Sequence, residues 1–459
     1  MNAGNPSGSG AAAPAPDPTA AVRSRGYVVL LVIAALLGVP LAAGAWGFLQ
    51  AVAQIETAVY TDLPRGLGFH GEPLWWPLLP LAVAGVLVAA TIRFLPGTAG
   101  HEPSGGFKTS GPSVSRDLPG ILIAALASIS LGAVIGPEAP LIALGGGVAA
   151  YVVRLLKPSA DPKAISIAAA AGSFAAISTL LGSPLLGAFL LMEASGLGGV
   201  MLDVALLPGL LAAGIGALVF TGLDSWSGLS SSALTIPNLP VAAQPTFAEF
   251  GWALVIGAAA AGAGHVIKRC AVFLQLHVAR RRMLWTPVAG LAVAGLAIAY
   301  AQGTGKGTDD VLFSGQSDLG PLISHSAQYT VGALVLLLAC KGLAYSVSLS
   351  AFRGGPIFPS MFLGAAGGMA MSHLAGMALI PGVAMGIGAL ADAILTLPLT
   401  SVLLATLLLG KDGITVMPLV IVAVVVSHVI TIVLAAPASG RARGSQDAGP
   451  GAERPASNP

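Results

Sequence analysis

Gly136-Pro137-Glu138-Ala139-Pro140 sets a carboxylate between two prolines, ahead of an apolar run rich in glycine. Glu138 is the only acidic residue between Asp117 and Asp161. An ionisable group in sequence otherwise fit for a membrane interior is costly to bury, so it points to a functional site. Pro140 suits the first turn of a helix, where its missing N–H is not needed. The unpaired N–H groups of such a turn, at the positive end of the helix dipole, favour an anion. Glu138 falls at that spot, so its carboxylate can act as a tethered anion competing with a mobile one. The alternative is a helix-end residue that pairs with the dipole at an interface.

A second stretch, Phe352-Arg-Gly-Gly-Pro-Ile-Phe-Pro-Ser360, repeats the device without a carboxylate. Gly354 and Gly355 permit close backbone approach, and a proline opens the helix. Two helix N-termini around one cavity make an anion site without a full positive charge, which ions leave quickly. Arg353 is read as an anion-attracting vestibule charge or, the favoured reading, as a snorkelling end residue. Lys341 stays open between the same two. His101, His265, His277, His325, His373 and His428 show no ligand spacing and are given loop or packing roles. Cys270 and Cys340 lie far apart beside apolar segments, which makes no disulfide framework. The pattern calls for no metal and no cofactor.

The elements that must position these residues are apolar helices. The chain has 459 residues, 55% hydrophobic and 9% charged, where an average soluble domain carries about 25% charged residues. That describes an all-α, multi-pass membrane protein. Apolar segments fall at about 27–54, 74–95, 118–134, 138–156, 164–181, 184–196 and 200–222, then 247–278, 284–301, 328–350, 357–379, 382–395, 398–409 and 414–436. Those at 184–196 and 398–409 are about half a crossing. Broken helices at membrane depth are tolerated where protein or a water-filled cavity covers them, as in transporters and channels. Residues 1–22 and 437–459, rich in Ala, Pro, Gly and Ser, read as disordered tails. The formal net charge of +2 implies no nucleic acid.

The interruptions repeat. Pro140-Leu-Ile-Ala-Leu144-Gly145 and Pro359-Ser-Met-Phe-Leu363-Gly364 share Pro-x-x-x-Leu-Gly, and Pro184-Leu185 and Pro398-Leu399 follow them. Interrupted segments at matching places in two halves point to a site at a repeat interface. The repeats are placed at about 27–222 and 247–436, within a transmembrane domain at 23–436. Arg23, Arg25, Arg93, Lys108, Arg116, Lys268, Arg269, Arg280 to Arg282, Arg441 and Arg443 mark the expected cytoplasmic side, with both termini inside.

Gly136-Pro-Glu-Ala-Pro140 resembles the G-(K/R)-E-G-P motif of the CLC chloride channel and transporter family, and Gly354-Gly-Pro-Ile-Phe-Pro359 resembles its GGxFxP motif. Gly182-Ser-Pro-Leu-Leu-Gly-Ala-Phe-Leu-Leu-Met-Glu193 is similar to the family's N-A-P-L-A-G run ending in a glutamate pair, and Leu397-Pro-Leu-Thr-Ser401 to its A-P-L-T-G. Each motif alone is weak; four in order are strong. The resemblance implies a homodimer in the plasma membrane, each subunit with its own pathway for chloride or a similar small anion. It implies two inverted repeats whose half-helix N-termini converge near the midplane. It makes Glu138 the gate and puts anion-coordinating backbone at Gly136, Ala139, Gly354, Gly355, Ile357 and Phe358. Within Gly97-Thr-Ala-Gly-His-Glu-Pro103, a faint match to the family's first anion motif, either Ala99 or Gly100 replaces the serine.

The departures bear on coupling. Pro137 replaces a basic residue, Ala139 a glycine, and no tyrosine follows the last apolar segment. The glutamate pair is reduced to Glu193-Ala194, leaving Glu193 as the candidate internal proton group. The expectation is an anion channel or transporter gated by Glu138 with weak or absent proton coupling, and no enzyme. Set beside it are an anion/proton antiporter, a channel for another anion such as fluoride or nitrate, and a non-conducting relative. An intramembrane hydrolase using Ser183 or Ser195 is disfavoured, because no histidine is placed to serve as base.

Overall fold

In a computed structural model, residues 25–106, 116–195, 200–228, 236 and 242–435 are described. The expected tails lie outside them, as do Arg23, Lys108, Arg441, Arg443 and the side chain of Ser195. The described chain is a bundle of helices: α1 (Arg25–Thr57), α2 (Leu78–Phe94), α3 (Leu118–Ser130), α4 (Glu138–Leu156), α5 (Pro162–Leu180), α6 (Pro184–Ser195) and α7 (Val200–Ser227) in the first half. The second half holds α8 (Phe247–Arg280), α9 (Arg282–Thr304), α10 (Leu319–Ser324), α11 (Val331–Ala351), α12 (Ile357–Met371), α13 (Leu379–Leu395), α14 (Pro398–Leu408) and α15 (Gly410–Ala435). Seven helices among the described residues are long and apolar enough to cross a membrane, and seven more are shorter and apolar. Leu36, Leu218 and Ile414 expose large apolar side chains, which lipid would cover. The protein is an integral, multi-pass membrane protein.

Local chemistry sets the ends. Thr246 and Glu249 form a reciprocal capping box at the start of α8, satisfying two otherwise unpaired donors. Gly305, with φ of 71°, closes α9, a left-handed position that glycine takes without steric cost. Helix α3 stops at Ser130, short of the expected 134, because the chain turns at Gly132 with φ of 102°. Likewise α12 ends at Met371, and α13 begins at Leu379.

The halves are built alike. Helices α4 and α5 cross at Gly145 and Gly172, and α12 and α13 at Gly364 and Gly386 and again at Gly368 and Gly382. A Cβ at any of these would overlap the facing backbone. Bare-backbone approach of this kind is how small residues hold membrane helices together, since lipid is as apolar as leucine. Gly136, Pro137, Pro140, Leu144 and Gly145 correspond one for one with Gly355, Pro356, Pro359, Leu363 and Gly364. The pseudo-symmetric halves meet at the first of those pairs. Gly136 N–H donates to Gly355 O at 2.7 Å and Gly355 N–H to Gly136 O at 2.6 Å, an antiparallel bridge. Reciprocal contact of equivalent residues is what a two-fold relation requires.

Lys341 is neither a vestibule charge nor a snorkelling residue. It is fully buried on α11, and its Nζ donates to the carbonyls of Asp310 (3.0 Å), Val311 (3.3 Å), Leu312 (2.9 Å) and Phe313 (3.5 Å). The ammonium lies 4.2 Å from the Phe362 ring centroid. It ties the 308–318 loop to the core, and Phe313 N–H reaches Gly132 O at 3.3 Å.

Candidate anion site

The Gly136–Gly355 bridge brings the N-termini of α4 and α12 face to face. Glu138, the first residue of α4, is fully buried. Its Oε1 accepts the Phe358 N–H at 2.8 Å, while Oε2 has no hydrogen-bond partner. The carboxylate therefore caps the helix end of the opposite repeat while also lying against its own backbone N–H, the place the sequence gives it. In the second repeat Ile357 stands at the position equivalent to Glu138. One half thus supplies the negative charge and the other a helix end to receive it.

The glycines serve as space. A Cβ on Gly136 or on Gly355 would overlap the Glu138 carboxyl, and one on Gly354 would meet the Ile135 side chain and Gly136 O. The family resemblance puts anion-coordinating backbone donors at Gly136 and Gly355. In the structure each N–H is spent on the other glycine's carbonyl, because the two segments must bridge to set the helix ends side by side. Ile357 and Phe358 are buried, and Ala139 is half-buried in the first turn of α4.

Gly100 belongs to a tight left-handed turn beside α3. Gly97, Thr98, Ala99 and Gly100 all have positive φ, and Gly100 N–H folds back onto Gly97 O at 3.0 Å. Thr98 and Ala99 carry strain there, as Cβ-bearing residues do in that region.

Several contributors escape the sequence reading. Tyr345 donates its hydroxyl to Pro356 O at 2.8 Å and lies within electrostatic range of Glu138. Ser348 Oγ accepts Val134 N–H at 3.0 Å, and Ser128 Oγ accepts Arg353 N–H at 3.1 Å. The signal was present, since Lys341, Tyr345 and Ser348 recur at one-face helical spacing in an otherwise apolar segment. Arg353 corrects the favoured reading: it is 3% exposed and does not snorkel.

Glu193 caps a broken helix. Its Oε1 accepts Leu399 N–H at 2.8 Å, and its Oε2 accepts Thr400 N–H at 2.7 Å and the Thr400 hydroxyl at 2.6 Å, at the start of α14. Removing it strands two donors, so Glu193→Ala should cost about 1–2 kcal/mol, read as a lower unfolding midpoint in detergent. Glu193→Gln, which keeps an acceptor, should cost less. Equal midpoints for wild type and Glu193→Ala would refute the capping role. His428, assigned to packing, instead sets Nδ1 3.0 Å from Oδ1 of the buried Asp392. Ser183 Oγ accepts Leu186 N–H at 3.3 Å, the place of a helix cap.

On the loop side of α9's C-terminus acidic groups gather. Burial first, then repulsion from Asp309, raises the Glu72 carboxyl to about 7, while Thr308 donates to it at 3.1 Å. Asp309 and Asp318 are raised by burial first and also by acidic neighbours, while the Lys341 ammonium pulls both down.

With this geometry the chain can be set beside known proteins. A family model described as voltage gated chloride channel matches residues 104–431. The chain is 27% identical over 350 residues to YfeO of Escherichia fergusonii, named for ion transport, covering 76% of this chain and 80% of that one. YfeO of Escherichia coli O1:K1 / APEC matches to the same extent. Among solved structures, a slow cyanobacterial Cl−/H+ antiporter superposes with a TM-score of 0.68 at 18% identity, over 91% of this chain and 98% of that one. A CLC-type fluoride/proton antiporter gives 0.66 at 19%, over 88% and 95%. A eukaryotic CLC transporter gives 0.68 at 19%, over 90% and 75%. At these identities the likeness is one of fold.

Proposed function

Because the chain belongs to the voltage gated chloride channel family, we propose that it moves chloride or a related small anion across the membrane, with Glu138 as the gate. The observation that carries this is the Glu138 carboxylate resting on the Phe358 N–H where two helix N-termini meet. The mechanism is electrostatic. Backbone N–H groups and helix ends replace part of the anion's hydration shell. The carboxylate holds the same place until a proton neutralises it or an incoming anion displaces it. Ile357, Phe358 and Ala139 supply the first-turn backbone, and Gly136, Gly354 and Gly355 supply the room. A homodimer with one pathway per subunit, in the plasma membrane with both termini cytoplasmic, completes the reading.

Proton coupling is weak or absent on this reading. Ala194 takes the place of the family's internal proton glutamate, and Glu193 is committed to the α14 N-terminus. In proteoliposomes, a chloride gradient should drive anion flux with little accompanying proton movement. Stoichiometric uphill proton pumping would overturn the uncoupled reading and favour an antiporter. Competition among chloride, fluoride and nitrate in the same assay reads the preferred anion. Absence of flux for every anion from folded protein would favour a non-conducting relative.

A further inference from the structure

Arg353 is a buried cation that the gate does not use. Its Nη1 donates to the carbonyl of Phe352 at 3.3 Å, while Nε and Nη2 have no hydrogen-bond partner. The nearest carboxylate oxygen, Glu102 Oε1, is 3.6 Å from Nη2, beyond hydrogen-bonding distance. Glu102 is already claimed: Arg282 Nη2 donates to Oε1 and Gln275 Nε2 to Oε2, and Ser104 Oγ steadies Gln275 at 2.8 Å. Among the described residues, the charges acting on Arg353 are Arg282 and Glu102. Two guanidiniums share one carboxylate, so the cluster holds one surplus positive charge.

A buried charge only partly balanced by a shared carboxylate is expensive, and more so inside a membrane protein. The two idle nitrogens lie on the same edge of the planar guanidinium. Nε–H and Nη2–H point in parallel, the fork that grips an anion from one side. The place also fits. Arg353 stands two residues before Gly355, which borders the Glu138 carboxyl. Its partners Glu102, Gln275 and Arg282 stand at the α8–α9 connection, the end of α9 opposite the acidic 308–318 loop. Arg93 lies in the last turn of α2, Arg116 just before α3, and Arg280 to Arg282 form the α8–α9 corner at that same end.

We propose that Arg353 binds the transported anion through its Nε–Nη2 edge, forming a second site on the basic side of the Glu138 gate. The ligand is a small monovalent anion of the halide type, whose charge balances the surplus. The inference rests on the anion-transport reading.

The test is chloride binding to purified full-length protein by titration calorimetry at constant ionic strength, with chloride flux in liposomes measured alongside. Arg353→Gln should weaken binding at one site on the order of 10- to 100-fold, the worth of a charge-assisted hydrogen bond. Arg353→Lys should retain part of the affinity, having the charge without the fork. Glu102→Gln should tighten binding, because two guanidiniums then lack any carboxylate. Folded Arg353→Gln with wild-type affinity and stoichiometry would overturn the proposal. So would Glu102→Gln that fails to tighten binding, and this arm decides alone if Arg353→Gln does not fold. Wild type that neither binds nor moves an anion defeats the transport reading itself, whereas wild-type flux with unaltered Arg353→Gln binding defeats only the second site.

Discussion

Glu138→Gln is expected to raise anion flux at neutral pH and to flatten its dependence on pH. The amide fills the same space between Gly136 and Gly355, and its oxygen can still accept the Phe358 N–H. What it loses is charge. A hydrogen bond to an ionised group contributes about 1.5–3 kcal/mol and a neutral one about 0.5–1.5, so the blocking conformation should weaken by about 1–2 kcal/mol, roughly 5- to 30-fold in its population. Glu138→Ala removes the acceptor outright and should raise flux further. In the wild type, acid neutralises the carboxylate and releases it, so flux rises as pH falls; in both variants that slope should vanish. Proteoliposome efflux over a range of pH is the measurement. Unchanged rate and slope in both substitutions would take Glu138 out of the gate.

How much of this was legible beforehand follows from where the information lies. The helices and their breaks are local features. Pro184 and Pro398 open half-helices, and the apolar runs are bounded by charge, so residue order was enough to place them. The costly carboxylate was legible for the same reason: Glu138 stands alone in its apolar setting. Pairing across the halves was not. Nothing near Gly136 says that its N–H meets Gly355 O rather than an anion, nor that Glu138 reaches across to Phe358 as well as to its own backbone N–H. Those bonds are made by residues more than two hundred positions apart. The two buried cations were misjudged for a related reason. Composition favours placing a membrane arginine or lysine at an interface, but Lys341 finds a ring of carbonyls in the 310–313 loop, and Arg353 lies under Ser128 and beside Glu102. Tyr345 and Ser348 could have been found, since with Lys341 they form a polar stripe on one face of α11.

Gly355→Ala carries the second large effect. Gly355 has no left-handed φ, so alanine meets no backbone objection, and the consequence is purely one of space. The added Cβ would sit 2.7 Å from Glu138 Cδ and 2.9 Å from Glu138 Cβ, closer than carbon atoms tolerate. Either the carboxyl leaves the Phe358 N–H, or the bridge to Gly136 opens. Overpacking of this kind costs about 1–3 kcal/mol, and losing the capped helix end releases the gate. The variant should therefore unfold at a lower temperature and conduct without a pH slope. The decisive comparison is the same substitution placed on Glu138→Ala. There the carboxyl, the nearer clash, is gone and only the 2.9 Å approach to the Cβ of residue 138 remains, so the cost of Gly355→Ala should shrink by about 0.5–3 kcal/mol, the size of coupling between residues in contact. Thermal unfolding of wild type, the two single variants and the double variant closes the cycle. An equal cost of Gly355→Ala in both backgrounds would mean that Glu138 does not occupy the space between the two glycines, and the electrostatic gate would lose its structural basis.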